Sequence, residues 1–173
     1  MPDAPTQAAT VSWRAHSGPE ACDETGSIHV RHAADADVFN CPLISLGGDF
    51  DQESWQITAP LERGQTEGWE YVVGGGFAFA ALHIDDGENI ESPQQIQQAA
   101  IDTYGALFRL QRRLGLGQVQ RIWHWLSNVT AGTGDDERYR RFCLGRGQAL
   151  DAAPHGMPVL PPATLVSSHR RGL

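Results

Sequence analysis

The stretch GWEYVVGGGFAFAALHID (residues 68–85) decides the fold. GWEYVV (68–73) and FAFAALHID (77–85) are rich in aromatic and branched residues, and GGG (74–76) between them supplies the turn, so the segment reads as a β-hairpin. In the second arm Ala78, Ala80, Leu82 and Ile84 share one face, and Phe77, Phe79, Ala81 and His83 share the other. Both faces carry apolar residues, which fits a sheet covered by a helical layer on one side. Upstream, PLISLGGDF (42–50) and ESWQITAP (53–60) read as short strands closed by Pro60. Downstream, Ser92-Pro93-Gln94-Gln95 is a capping box with proline at the first helical position. Ile96, Ala99, Ala100, Thr103, Leu107, Leu110 and Leu114 then recur at helical spacing until Gly115 closes the helix as its C′ residue. QVQRIWHWL (118–126) reads as a strand, and a second helix capped by Thr133 or Asp135 runs to about Ala152. A last short strand is expected in a proline-punctuated tail. The order predicts an α+β fold: one mixed, mostly antiparallel sheet with two helices packed on one face.

Residues 1–41 read as a loosely structured lead-in with room for a single strand, SIHVRH at 27–32. The whole chain of 173 residues fits one ordinary domain, and 40% hydrophobic residues can build a core. No apolar run is long enough to span a bilayer, and MPDAPTQAATVSW has neither the basic nor the apolar region of a secretory leader. The net charge of -8 argues against a nucleic-acid partner held by phosphate contacts. All 13 basic residues are arginines, which removes Schiff-base and P-loop lysine chemistry. Cys22, Cys41 and Cys143 are odd in number and widely spaced, as expected for reduced thiols in a cytoplasmic protein.

The second helix, DDERYRRFCLGRGQAL, carries the chemistry. Tyr139, Phe142, Cys143, Ala149 and Leu150 form an apolar stripe, and Arg146 lies on the same face as Tyr139. A guanidinium there needs a partner, because a buried unpaired charge is prohibitive. That partner is either a carboxylate ligand held bidentately or one of the chain's own acids. Gly145 and Gly147 flank it; each costs the helix about 1 kcal/mol against alanine and lets a backbone or a ligand come close. Arg138, Arg140 and Arg141 fall on other faces and read as solvated. On the preceding strand His124 lies between Ile122 and Leu126, either as a site residue or as a hydrogen-bonded core histidine. Cys22, His29, His32 and Cys41 do not make a convincing zinc set, since His29 and His32 point to opposite faces of a strand. No metal or cofactor is expected. No nucleophile elbow or paired-carboxylate motif occurs, so no catalytic residue is assigned.

IWHWLSNVTAGTGDDERYRRFCLGRGQAL (122–150) resembles the signature of the chorismatase family, bacterial enzymes that convert chorismate to hydroxybenzoates or a dihydroxycyclohexadiene carboxylate and release pyruvate. Trp123, Glu137, Arg138, Tyr139, Phe142, Cys143, Gly145 and Arg146 match that motif, and Leu160-Pro161-Pro162-Ala163-Thr164 is similar to the Leu-Pro-Ala-Ala-Thr that follows it. The resemblance covers about residues 42–164, leaves 165–173 as a divergent tail, and implies a fold like the trimeric reactive-intermediate deaminases of the RidA/YjgF type. It also implies chorismate, a dianion, as ligand, with Arg146, Tyr139 and His124 as the substrate-binding residues.

Two departures qualify the likeness. The family's Trp-Asn-Tyr is Trp123-His124-Trp125 here. The family also continues into a second domain of similar size, which carries its catalytic glutamate. The expectation is therefore an N-terminal domain, inactive alone, whose partner is a C-terminal chorismatase domain. The alternative is a non-catalytic RidA-like module that binds small molecules or assembles as a homotrimer.

Overall fold

The computed structural model describes residues 9–14, 27–31, 39–40, 52–57, 59–84, 92–153 and 160–168. Its contacts divide the chain into two compact units, Met1–Ala81 and Leu82–Leu173.

In the first unit β1 (Ala9–Arg14), β2 (Ser27–Arg31), β3 (Phe39–Asn40) and β4 (Gln52–Ile57) form a sheet of order β1-β4-β2-β3. β4 is antiparallel to both β1 and β2, with Val11 and Ile28 each in register with Trp55. The short β2–β3 pairing is parallel. The reading of 1–41 as a loose lead-in is thus corrected: three strands come from it. They escape periodicity because each is completed by another strand: β1 and β2 pair with β4, and the two-residue β3 pairs with β2. The expected PLISLGGDF strand lies outside the described residues.

A second sheet in this unit consists of β5 (Glu62–Thr66), β6 (Trp69–Gly74) and β7 (Phe77–Ala81), all antiparallel. The β6–β7 hairpin stands as read. Gly75 and Gly76 have φ of 55° and 79°, the positive pair that a type I′ turn requires, while Gly74 belongs to β6 and pairs with Phe77. The β5–β6 turn repeats that geometry at Glu67 and Gly68, with φ of 49° and 80°. β5 itself, ERGQT, offers no apolar alternation to announce it. Val72 and Ile57 are buried together, with Phe79, Ala81, Ala59 and Leu61 packed around them.

The second unit holds α1 (Pro93–Arg113), β8 (Ile122–Ser127), α2 (Arg138–Asp151) and β9 (Ala163–Ser168). α1 begins as expected: Ser92 Oγ accepts from the Gln95 amide, and the Gln95 side chain accepts from the Ser92 amide. It ends in a Schellman motif, with the Gly115 amide on the Arg112 carbonyl, the Leu116 amide on the Gln111 carbonyl, and Gly115 at φ 64°. Its buried ladder is Ile96, Ala100, Tyr104 and Phe108, with Ala106 and Leu110 beside it. The sequence stripe is off by one position at Thr103 and Leu107. β8 pairs in parallel with β9, so the segment set apart as a divergent tail supplies Leu165 to the core.

Both helices pack on one face of β8. Leu126 is fully buried there among Ile96, Ala100, Tyr104 and Phe108 of α1 and Phe142 and Ala149 of α2, with Ile122 at its edge. The α+β class, with mostly antiparallel pairing and two helices on one face, is what the structure shows; the described strands pair in three groups. Among the described residues no helix is long and apolar enough to cross a membrane.

Candidate functional site

α2 does not start on a capping side chain. A short 3-10 turn, Gly134–Asp136, precedes it, and neither Thr133 nor Asp135 caps α2. The first amides of α2 are satisfied by the loop instead: Arg138 N–H donates to the Ala131 carbonyl and Tyr139 N–H to the Val129 carbonyl. This entry rotates the helix by one position against the sequence reading. Its buried stripe is Arg138, Phe142, Gly145 and Ala149, while Tyr139 is 45% exposed and Cys143 is exposed.

Two of the three arginine expectations change with that rotation. Arg138, read as solvated, is only 9% exposed and donates from Nε to the Ser127 carbonyl and from Nη2 to Ser127 Oγ. Arg141 is half-buried, bridging Asp136 Oδ1 at 2.6 Å and Gln97 Oε1 at 3.1 Å. Arg140 alone of the three matches the surface reading, exposed beside Asp135 and Glu137. Of the two glycines, Gly145 permits close approach of a backbone, that of α1 at Gln97, whereas a Cβ on Gly147 would meet nothing within 4 Å.

Arg146 occupies the lip between the buried stripe and solvent. Its Nε donates to the Tyr104 hydroxyl at 2.9 Å, and its guanidinium carbon lies 5.9 Å from the centre of the Tyr104 ring. Among the described residues no acidic side chain pairs with it, and its terminal nitrogens have no hydrogen-bond acceptor. The internal salt bridge that was the alternative to a ligand is absent from this part of the structure.

Tyr104 is 2% exposed, and a buried phenol needs partners for its hydroxyl. It has a second one: His124 Nε2 at 2.9 Å. His124 Nδ1 in turn lies 3.0 Å from the Thr164 carbonyl, which the parallel β8–β9 register brings alongside. A carbonyl can only accept, so Nδ1 carries the proton in the neutral imidazole and Nε2 accepts from the Tyr104 O–H. Tyr104 keeps a lone pair for Arg146. The chain Arg146 to Tyr104 to His124, with His124 donating on to Thr164, is therefore satisfied in one direction throughout. The rings brace it: His124 stacks on Tyr104 at 5.9 Å and meets Phe142 edge-on at 5.0 Å.

The surroundings shift the proton affinities. Burial lowers the His124 pKa from its ordinary 6.5; the Thr164 bond opposes this and the Arg146 charge adds to it. Burial raises the Tyr104 pKa, against the pull of Arg146. The Tyr139 pKa is raised mainly by its hydrogen bond with Cys143, and Arg146 acts on it in the opposite direction.

Sequence reasoning thus named two members of this chain, His124 and Arg146, and a neighbour on the lip, Tyr139. It missed Tyr104, which joins them. The signal was available: a tyrosine in the i, i+4 ladder Ile96, Ala100, Tyr104, Phe108 buries a hydroxyl that must be answered from a neighbouring element. Of the weak metal candidates, Cys22, His32 and Cys41 lie outside the described residues, as does the His29 side chain. No cluster of metal-ligating side chains occurs among the described residues.

Fold and side chains together define an α+β domain in which helix and strand hold a half-buried arginine by one nitrogen and leave its outer fork open. The comparisons give this domain its family. The profile described as "Chorismatase FkbO/Hyg5-like, N-terminal" matches residues 53–173, so it begins later than the sequence resemblance and runs through the tail. A chorismatase of Streptomyces hygroscopicus is 28% identical over 122 residues, covering 70% of this chain and 34% of that protein. A 3-hydroxybenzoate synthase of the same organism is 25% identical over 122 residues. A crystal structure of a chorismatase superposes with a TM-score of 0.73 at 25% identity, covering 96% of this chain and 52% of the other. The chain belongs to the FkbO/Hyg5-like chorismatase family and corresponds to its N-terminal domain. It spans about a third of the length of the curated relatives it matches.

Proposed function

We propose that this chain is the chorismate-holding N-terminal part of a chorismatase, with Arg146 taking a carboxylate of the dianion, Tyr139 at the lip and His124 beneath. One observation carries the reading: Arg146 is held at Nε by Tyr104 while its terminal nitrogens face no acid among the described residues. A planar fork presented this way suits bidentate recognition of a carboxylate.

Holding the substrate is half of the chemistry. Hydrolysis of the enolpyruvyl ether begins with proton transfer to the methylene carbon. Water then adds to the oxygen-bearing carbon, and the hemiketal collapses to pyruvate and the ring alcohol. The proton donor must be a carboxylic acid kept protonated near neutral pH. Among the described residues, no carboxyl makes a hydrogen bond or ion pair to Arg146, Tyr104 or His124. In this reading the acid comes from a chorismatase C-terminal domain, and the chain alone binds without turnover. The products of the complete reaction, made in the cytoplasm, are pyruvate with the dihydroxycyclohexadiene carboxylate that hydrolysis leaves, or pyruvate with a hydroxybenzoate where the ring also loses one water and becomes aromatic.

Incubation of the chain with chorismate, with and without a chorismatase C-terminal domain, tests this. Chorismate is expected to raise the melting temperature of the chain, and pyruvate to appear only with the second domain. Pyruvate from the chain alone overturns the division of labour. A melting temperature indifferent to chorismate overturns the binding role, and a stable trimer with that indifference supports an assembly module instead.

A further inference from the structure

We propose that Tyr104 is a positioning residue for ligand binding: its hydroxyl, oriented by His124, fixes the Arg146 guanidinium so that both terminal nitrogens point at one carboxylate. The proposal rests on the reading of Arg146 as the carboxylate-binding group and adds what sets its aim.

The argument is geometric. An arginine side chain has many rotamers, and an unrestrained one loses that freedom when it binds. Here the freedom is already reduced. Tyr104 is 2% exposed and immobilised in the core beside Ile96, Phe108 and Phe142, so the hydroxyl is a fixed point. Arg146 reaches it with Nε, the one guanidinium nitrogen that bidentate capture through the terminal pair leaves idle. The plane and direction of the fork are then set by the core rather than by the ligand.

His124 determines whether that fixed point can accept. A phenol that had no acceptor for its proton would turn the proton toward other lone pairs and compete with the Arg146 N–H. With Nδ1 committed to the Thr164 carbonyl, Nε2 takes the Tyr104 proton and leaves the oxygen lone pair facing Arg146. The groups around His124 are consistent with this: Tyr104 from α1, Arg146 and Phe142 from α2, and the Thr164 carbonyl from β9. The histidine, which stands where the resembling family motif has asparagine, has a defined task in this chain.

The test is a double-mutant cycle on the full chain, with chorismate affinity measured by calorimetry. Tyr104→Phe keeps the ring and its packing and is expected to weaken binding about tenfold, the scale of one hydrogen bond to a charged group. In an Arg146→Lys background, where no Nε exists to be held, Tyr104→Phe should change affinity no further. His124→Leu, which leaves the phenol without an acceptor, should lose affinity as Tyr104→Phe does, and His124→Gln, which retains an acceptor, should lose less than His124→Leu. Equal losses from Tyr104→Phe in both backgrounds mark a merely structural tyrosine and overturn the proposal. Nitrogen-15 spectra of the free chain provide a readout independent of ligand: a protected Arg146 Nε–H signal is expected, absent in Tyr104→Phe. Persistence of that signal in Tyr104→Phe also overturns it. If Arg146→Ala binds chorismate normally, the functional reading has failed; if Arg146→Ala is dead and Tyr104→Phe is unaffected, only the positioning role has.

Discussion

Gly145 on α2 and Gln97 on α1 meet backbone to backbone: a Cβ added to Gly145 would run into the Gln97 carbonyl oxygen and stand 3.0 Å from the Ala100 Cβ. The side chains on either side close the same seam, since Gln97 Nε2 donates to Gln148 Oε1 at 2.9 Å and Arg141 reaches Gln97 Oε1. The glycine sets how near the helices lie, and that distance determines whether Arg146 on α2 reaches Tyr104 on α1.

Gly145→Ala is therefore expected to destabilise the chain. Alanine gains about 1 kcal/mol in helix propensity, but overpacking against a backbone that cannot yield costs up to about 3 kcal/mol, for a net loss of up to about 2 kcal/mol. Gly147→Ala, two residues on and with nothing within 4 Å of its Cβ, is expected to gain up to about 1 kcal/mol. Urea denaturation of the two variants measures both; equal and opposite signs from those stated would place the helix seam elsewhere.

Arg146 and Arg138 should separate binding from stability. Arg146→Ala removes one hydrogen bond, and Tyr104 keeps His124 as its partner, so basal stability should fall by only about 1 kcal/mol while chorismate no longer raises the melting temperature. Arg138→Ala removes a buried side chain and its two bonds to Ser127, and about 2–3 kcal/mol of stability should go with it. Thermal melts with and without chorismate distinguish the two patterns. A loss of several kcal/mol in Arg146→Ala without ligand would mean that the guanidinium is a structural anchor.

That contrast also shows what was legible in the sequence. Elements whose ends are chemically marked were read correctly: the Ser92 capping box, the Gly115 stop and the Gly75-Gly76 turn each follow from local chemistry. What failed depends on strand pairing that no local pattern announces. β1 and β2 take their places beside β4, β3 takes its place beside β2, and β5 takes its place from β6 across a two-residue turn. The face of α2 is fixed by loop carbonyls at Val129 and Ala131, which no side-chain pattern announces. With the helix turned one position, Arg138 goes inward and Arg146 to the lip. His124 and Arg146 were identifiable as residues out of keeping with their apolar neighbours; Tyr104 was hidden because a tyrosine in a core ladder looks like packing.

Ser92→Ala tests the reading most local to the sequence. The side chain satisfies the Gln95 amide, and its loss removes the capping box on the helix that carries Tyr104. About 1 kcal/mol of stability should be lost. A linear urea extrapolation resolves that difference, and Ser92→Asp should recover most of it.

The last prediction concerns pH, and its sign follows from His124. The folded state lowers this imidazole's pKa below the ordinary 6.5, chiefly by burial, so between the two values the unfolded chain binds the proton and the folded chain does not. Stability then rises with pH through that window: it is fully present above about 6.5 and is lost as pH falls toward the folded value. Protonation would also put a second N–H on Nε2, leaving the Tyr104 hydroxyl to accept where it now donates, with the Arg146 charge already at that oxygen. His124→Gln has no proton to bind and should flatten this part of the curve. Unfolding free energies of both proteins from pH 8 to pH 5 are the measurement, read as the difference between them so that carboxylates common to both cancel. A wild-type curve parallel to that of His124→Gln would mean that the imidazole is not held neutral by the fold, and the one-directional chain from Arg146 to Thr164 would have to be abandoned.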